Sequence, residues 1–363
     1  MKKIFAFALC MCMIFVLFGC AEQDDRVTIN VYNWGQYISE GNDGCIDVIR
    51  EFEKAYPDIK VNYATFDSNE TMYAKMAGGG ITVDVIIPSD YMVDRLIQED
   101  MLMELNLDNI PNAKNIDSFF PENLKYDPEN KYSVPYSWGV VGIIYNAKYV
   151  DEEDVTGWEL LWNEKYEDKI LMFDNSRDAF CIAQKRLGYQ VNTDDPQELL
   201  RCAELLAEQR PIVQQYIMDQ VFDLMENEEA WIAPYYAGDY LTMAAENENL
   251  KFYLPQDQGF NLFVDSMCIP KCSKNKDAAE LFINFLCEPE IAGGNMDWVC
   301  YGTPISAAKE FMDQEVVTDP NAYPSDEVLD HGSSYVALPR ETTRLMEELF
   351  MQVRNGIPVH LPD

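Results

Sequence analysis

The chain has 363 residues, of which 48% are hydrophobic, and it carries a formal net charge of −36. This length suits two domains with substantial cores, and the acidic balance argues against a surface that binds nucleic acid or anionic substrates. The sequence contains only two histidines, His331 and His360, which argues against a histidine-dependent triad or a zinc site.

The first twenty residues have the features of an export signal. Lys2 and Lys3 precede an apolar run from Ile4 to Phe18, which ends at Gly19-Cys20. The run is short for a membrane span, and a small residue before cysteine is typical of lipoprotein processing. We predict a signal peptide over residues 1–19, a lipidated Cys20 and a tether that extends to residue 25. The mature protein would lie outside the cytoplasmic membrane, in the periplasm if the cell is Gram-negative.

The cysteines show no metal-binding pattern. Seven of them follow Cys20, an odd number, and no CxxC pair is present. We therefore expect mostly buried thiols, and spacing alone assigns no disulfide. Neither a metal nor a cofactor is predicted.

The first predicted strand begins at Val27, where apolar and polar residues alternate. Asn33 and Gly35 interrupt this pattern, so we expect Trp34 and Tyr37 on a loop at the carboxyl end of the strand. In open α/β sheets ligands bind at that edge. Taken alone, the two rings would serve equally well as caps on the core.

Strands and helices then alternate. Helical spacing from Ile46 to Tyr56 predicts a helix, and strands follow at 59–63 and 83–87. The second of these strands ends in Pro88-Ser89-Asp90-Tyr91. Ser89 and Tyr91 therefore lie at another strand end, although Tyr91 could simply open the following helix.

Residues 132–146 read as the crossover between two domains. Pro135, Gly139 and Gly142 divide this stretch into two short extended runs, as a hinge requires. Downstream, Thr156 and Glu159 form a capping-box pattern that predicts a helix.

Two further strands end in polar residues. Asn175 and Asp178 follow the strand at 170–173. Tyr236 ends the strand at 230–236, and Asp239 follows it. Asp178 could also be a favourable charge at a helix N-terminus.

A strand at 261–269 contains the sharpest anomaly in the sequence. Asp265 interrupts an apolar run that also holds Phe263, and burying a carboxylate costs several kcal/mol unless a cation or hydrogen-bond donor faces it. A loop with Tyr301 follows, between predicted helices at 276–287 and 340–353.

These strand-end positions share an unusual composition of aromatic rings and carboxylates, with almost no basic residues. They are Trp34, Tyr37, Ser89, Tyr91, Asn175, Asp178, Tyr236, Asp239, Phe263, Asp265 and Tyr301. A protonated alkyl amine prefers such surroundings, because rings attract the cation and carboxylates accept charge-assisted hydrogen bonds. A metal site or an exported glycosidase with an acid pair remains an alternative.

The order of motifs resembles the spermidine/putrescine-binding proteins of bacterial ABC importers over nearly the whole mature chain. The matching pieces are VYNWGQYI, FDSNETMYAKM, DVIIPSDYMVDRL, YSVPYSWGVVGIIYN, WELLWNEKYEDKILM, YYAGD, FVDSMCIPK and CYGTPIS. Such a collinear series is more specific than any single motif.

The resemblance implies a two-lobe α/β fold of the type II periplasmic-binding-protein class, with hinge strands that cross between the lobes. Lobe 1 would hold residues 26–135 and 262–309, and lobe 2 would hold 136–261 and 310–363. The protein would be a monomer without catalytic activity, with ABC permease subunits as partners. A polyamine sensor without transport is the alternative that sequence leaves open.

The resemblance also assigns roles to residues. Trp34, Tyr37, Tyr91 and Tyr301 match the aromatic box of the family, and Ser89 matches a polar contact. Two acids would bind the amine ends, principally Asp265 and at the other end Asp178, whereas Asp239 matches an acid of putrescine-preferring members. Three positions depart from spermidine binders, namely Asn175 (usually Asp), Tyr236 (usually Trp) and Phe263 (usually Trp). We therefore expect a slight preference for putrescine.

Overall fold

The structure, a computed structural model, describes residues 24–120 and 126–362. The predicted signal peptide and Cys20 lie outside these residues. The described part of the chain forms ten strands: β1 Val27–Trp34, β2 Ile59–Phe66, β3 Val85–Ile86, β4 Ser133–Asn146, β5 Ile170–Phe173, β6 Val213–Ile217, β7 Ile232–Tyr236, β8 Leu250–Tyr253, β9 Phe260–Cys268 and β10 Gly332–Ser333.

The strands form two parallel groups on either side of an antiparallel centre. Their order is β2-β1-β3-β9-β4-β7-β5-β6, with β8 paired to β4 and β10 paired to β9. Within each outer group the neighbouring strands run parallel, whereas β4 runs antiparallel to β9, β7 and β8. The molecule is therefore a two-lobed α/β protein in which β4 and β9 cross from one lobe to the other.

Twelve α-helices within the described residues cover the strands: α1 Val48–Ala55, α2 Asn69–Ala77, α3 Asp90–Gln98, α4 Ser176–Leu187, α5 Pro196–Gln209, α6 Val221–Glu226, α7 Ala237–Glu246, α8 Lys276–Leu286, α9 Pro289–Val299, α10 Gln314–Val317, α11 Asp326–Leu329 and α12 Arg340–Asn355. The predicted helices at 276–287 and 340–353 are confirmed as α8 and α12, and α9 was missed. No helix among the described residues is long and apolar enough to cross a membrane.

The crossover differs from its sequence prediction. It is one 14-residue strand, β4, rather than two short runs. The register against β9 shifts between Pro135 and Ser137, because proline lacks the N–H that a regular ladder needs and is tolerated at a bulge. Beyond this bulge β4 pairs with β9 to Val140, and from Val141 it pairs with β7. A single strand therefore belongs to both halves of the sheet.

The capping-box prediction at Thr156 and Glu159 is wrong. Residues Trp158–Trp162 form a 3-10 turn whose cap residue is Gly157. The Trp158 N–H donates to Gln258 Oε1 at 2.8 Å, and Gln258 Nε2 donates to Glu159 Oε1 at 2.7 Å. Gln258 thus takes the Glu159 carboxylate, and the Thr156 N–H donates instead to the Asp154 carbonyl oxygen at 3.1 Å.

Candidate functional site

An acidic cavity of about 80 Å³ lies between the two lobes, at the carboxyl ends of the parallel strands. We name it the acidic cavity. Its lining residues are Trp34, Gly35, Tyr37, Asp67, Ser68, Asn69, Glu70, Ser89, Tyr91, Asn175, Asp178, Met218, Asp219, Tyr235, Tyr236, Asp239, Asn261, Phe263, Asp265, Tyr301 and Tyr335. The structure thus brings together all eleven residues that the sequence singled out, and ligand binding by them remains a prediction.

The lining of the acidic cavity is strongly unbalanced in charge. It contains six carboxylic acids and, among the described residues, no lysine, arginine or histidine. A water molecule needs about 10–15 Å³ of cavity volume, so a cavity of about 80 Å³ has room for about five to eight water-sized groups. A small cation with a short linear body therefore fits both its charge and its size.

Asp265 is held at the centre of a hydrogen-bonded chain. The Tyr37 hydroxyl donates to Asp265 Oδ2 at 2.6 Å, and the Ser137 hydroxyl donates in turn to Tyr37. Ser137 is the β4 residue that pairs with Asp265 on β9. The other carboxylate oxygen, Oδ1, is buried and has no hydrogen-bond partner among the described residues. One of the two carboxylate oxygens of Asp265 therefore has no donor among the described residues.

Burial controls the ionisation of Asp265. The side chain is only 4% exposed, and this burial raises the pKa of Asp265 to about 6. The hydroxyls of Tyr37 and Ser89 lower the pKa, although Ser89 falls short of a hydrogen bond to the carboxylate, and the charge of Asp178 raises it. A cation in the cavity would offset the cost of burying the ionised form.

Asp239 provides a second acid with a similar environment. It lies in the first turn of α7, and the Tyr301 hydroxyl donates to its Oδ2 at 3.0 Å. Burial raises the pKa of Asp239 to about 7, the hydrogen bond from Tyr301 lowers it, and the nearby carboxylate of Asp219 raises it. Asp239 is thus a partly buried acid whose ionised form would be stabilised by an added positive charge.

Asp178 differs from these two acids because protein groups already satisfy it. Its Oδ1 accepts from the Tyr335 hydroxyl at 2.9 Å, and its Oδ2 accepts from the Tyr236 hydroxyl at 2.7 Å. Asn175 caps α4 by accepting the Asp178 N–H and donates its amide to Oδ2 at 2.9 Å. Asp178 is therefore both a charge at the N-terminus of a helix and part of the lining of the cavity.

Aromatic rings form a continuous path through the cavity. Tyr37 packs edge-on against Tyr301 at 5.1 Å, Tyr301 against Phe263 at 6.1 Å, and Phe263 against Tyr236 at 5.6 Å, all between ring centroids. Trp34 was expected on a loop but is the last residue of β1. These rings can face the methylenes and the charge of a bound alkylammonium.

The sequence interpretation missed three chemically important residues of the lining. Glu70 accepts from the Tyr91 hydroxyl at 2.9 Å and lies in the first turn of α2, just after β2. Asp219 follows the end of β6, so both acids occupied strand-end positions that the same rule could have found. Tyr335 lies in an irregular segment near β10, where no sequence pattern points to it.

The arrangement suits binding of an organic cation. No group of three or more His, Cys, Asp or Glu among the described residues could hold a metal ion. The acids are instead separated by tyrosine rings and hydroxyls, which favours an elongated ligand with more than one cationic group.

Comparison with known proteins supports this interpretation. The sequence model of the bacterial extracellular solute-binding protein family matches residues 47–324. The spermidine/putrescine-binding periplasmic protein of Salmonella typhimurium is 31% identical over 341 residues, covering 93% of this chain and 94% of the relative.

Solved structures agree. The spermidine/putrescine ABC transporter substrate-binding protein PotD of Streptococcus pneumoniae has a TM-score of 0.75 and 35% identity, covering 91% of this chain and 99% of that one. The Tp0655 (TpPotD) lipoprotein of Treponema pallidum has a TM-score of 0.79 and 28% identity, covering 90% of this chain and 99% of that one. The family and these relatives are solute-binding proteins rather than enzymes. This chain therefore belongs to the family of bacterial extracellular solute-binding proteins.

Proposed function

We propose that this protein captures a polyamine, putrescine or spermidine, outside the cytoplasmic membrane and delivers it to an ABC importer by closure of its lobes. The single observation that carries the proposal is the acidic cavity, whose described lining has six acids, no basic side chain and an aromatic path between the acids. The names of the relatives point to the same ligands. Catalysis is not part of the proposed role.

The ligand would supply the free energy for closure. In the open protein water would hydrate Asp265 and Asp239, whereas closure buries both. An ammonium group at each acid replaces that water with charge-assisted hydrogen bonds, so the closed state is favoured only when the amine is present.

We propose lobe boundaries within the two crossing strands. Lobe 1 holds residues 26–135 and 262–309, and lobe 2 holds 136–261 and 310–363. The first boundary coincides with the bulge in β4 and the second lies within β9, so only the two crossing strands and the polypeptide after residue 309 connect the lobes.

The remaining proposals concern the cellular setting. The protein would be a monomer anchored to the membrane by lipid on Cys20 after removal of residues 1–19, and its partners would be the importer's permease subunits. The short apolar run and Gly19-Cys20 support this anchor.

A thermal-shift panel tests the ligand class. Putrescine, cadaverine, spermidine and spermine are added to the mature protein, with butane-1,4-diol as the neutral analogue of putrescine. A ligand at a hundred times its Kd stabilises the native state by about 2.7 kcal/mol, so at least one amine should raise Tm by several degrees. No shift with any amine, or an equal shift with the diol, would contradict the proposal.

A further inference from the structure

A second cavity lies behind the acidic cavity, on the opposite face of the two crossing strands. We name it the rear cavity, with Asp90, Trp138, Leu262 and Val264 in its wall and a volume of about 870 Å³. Alternate residues of β9 divide between the cavities, since Phe263 and Asp265 line the acidic cavity. The rear cavity is therefore separate from the site described above, although Tyr335 touches both.

Asp90 is the unusual group in this wall. Its side chain is 3% exposed, its Oδ1 accepts the N–H of Tyr91 at 2.7 Å, and its buried Oδ2 has no hydrogen-bond partner within residues 24–120 and 126–362. It forms no ion pair with any residue in the described ranges. Leaving a buried carboxylate oxygen unpaired is costly, so Oδ2 of Asp90 calls for a donor that no described residue supplies.

Two other charged residues in the described lining of the rear cavity already have partners. Asp94 accepts the Ala337 N–H at 2.9 Å and a hydrogen bond from Gln98 at 2.9 Å. Lys309, the one base in the described lining, lies 4.0 Å from the centre of the Tyr323 ring. The wall thus combines one unsatisfied acid with apolar and aromatic surface.

We propose that the rear cavity binds a small organic monocation with an apolar body, whose ammonium group donates to Asp90. Trp138, Leu262 and Val264 would contact the body of this ligand, and the cavity volume lies in the range of small-molecule sites. The ligand would bind at the same time as an occupant of the acidic cavity, because the two cavities face opposite sides of β4 and β9.

Benzylammonium is the probe that tests the proposal. Isothermal titration calorimetry of the mature protein is carried out with putrescine in excess, which keeps the acidic cavity occupied. We expect binding that is at least about tenfold weaker in Asp90→Asn, since a charge-assisted hydrogen bond is lost. Asp94→Asn is the matched control. Asp94 lies four residues after Asp90 on α3 and already accepts hydrogen bonds. Removing its charge should change the affinity less than about threefold.

A second variant guards against misfolding of Asp90→Asn. Val264→Phe should narrow the rear cavity without altering any charge, and it should also weaken benzylammonium binding. The Asp265→Asn variant, titrated without putrescine, should bind the probe normally, so this test stands even if putrescine is not a ligand. The proposal is overturned if millimolar benzylammonium does not bind, if Asp90→Asn and Val264→Phe both bind it as wild type does, or if Asp265→Asn abolishes binding.

Discussion

The Tyr37 hydroxyl donates to Oδ2 of Asp265 at 2.6 Å, while Oδ1 of the same carboxylate is buried without a hydrogen-bond partner in the described part of the chain. Tyrosine thus fixes the orientation of the acid and leaves one oxygen to a ligand. Asp265→Asn should weaken polyamine binding by roughly 1.5–3 kcal/mol, about ten- to a hundredfold, as measured by calorimetric titration.

The matched control for Asp265→Asn is Asp67→Asn, which removes the same charge from an exposed acid at the rim of the cavity. It should change the affinity less than about threefold. Equal losses of affinity in both variants would mean that polyamine binding depends only on the total negative charge of the cavity. Because Asp265 is costly to bury in ionised form, its Asn variant should also have an unchanged or higher Tm without ligand.

Binding should depend on pH through Asp265 and Asp239. Burial raises their pKa values to about 6 and about 7, so the native state holds these protons more tightly than the unfolded chain does. Without ligand, the contribution of both acids to stability is therefore lost as pH rises from about 4 to about 7. A diammonium ligand prefers the ionised acids, and its affinity should rise over the same range.

Calorimetric titrations of putrescine from about pH 5 to about pH 8 measure this effect. We expect binding at least about tenfold tighter at the upper end, because one raised carboxyl pKa already gives that factor. The Asp265→Asn variant should show a shallower dependence, since Asp239 alone then titrates. A flat profile for the wild-type protein would show that neither acid ionises on binding.

Local patterns predicted the positions of the principal acids but not the contacts that orient them. Asp265 was recognisable because it breaks an apolar strand, and Asp239 because it follows the end of another. By contrast, Tyr335, which donates to Asp178, belongs to a segment without periodicity and is 157 residues away in sequence. Such a partner is determined by how the chain returns to the cleft, and no local pattern encodes it.

The errors in the predicted secondary structure also arise from contacts between residues that are distant in sequence. Glu159 looked like part of a capping box, but Gln258 occupies it from a distant loop. The glycines of β4 suggested a break, yet pairing with β9 on one half and β7 on the other keeps the strand continuous. In both cases tertiary hydrogen bonds override the local preference.

The number of hydrogen bonds that each acid already accepts from the protein predicts which amine binds more tightly. Asp178 accepts three side-chain hydrogen bonds from Tyr335, Tyr236 and Asn175, whereas Asp239 accepts one, from Tyr301. We therefore expect the two ammonium groups of putrescine at Asp265 and Asp239, and a lower Kd for putrescine than for spermidine.

Paired titrations of the two amines with Asp239→Asn and Asp178→Asn test this preference. Asp239→Asn should weaken putrescine binding about tenfold or more, and Asp178→Asn should have the smaller effect, because its ligand-facing oxygens already have donors. Tighter binding of spermidine by the wild type, together with a selective loss of spermidine in Asp178→Asn, would place an ammonium at Asp178 instead.

Gly238 determines where the Tyr301 ring lies. A Cβ added at Gly238 would lie 2.7 Å from Cγ of Tyr301 and closer still to the adjoining ring carbons, so the buried ring would have to move. Gly238→Ala should therefore destabilise the protein by about 1–3 kcal/mol and weaken putrescine binding at least about tenfold, because the Tyr301 hydrogen bond to Asp239 is lost.

Thermal melts and calorimetric titrations of Gly238→Ala are compared with those of Gly80→Ala. At Gly80 the nearest atom to an added Cβ is the Lys75 carbonyl oxygen at 3.8 Å, which is ordinary contact. This control should change stability by less than about 0.5 kcal/mol and leave affinity unchanged. If Gly238→Ala lowers Tm but binds putrescine as tightly as wild type, the position of the Tyr301 ring does not matter for the ligand. If instead affinity falls in Gly238→Ala alone, Tyr301 and Asp239 act together at one end of the cavity, as their hydrogen bond indicates.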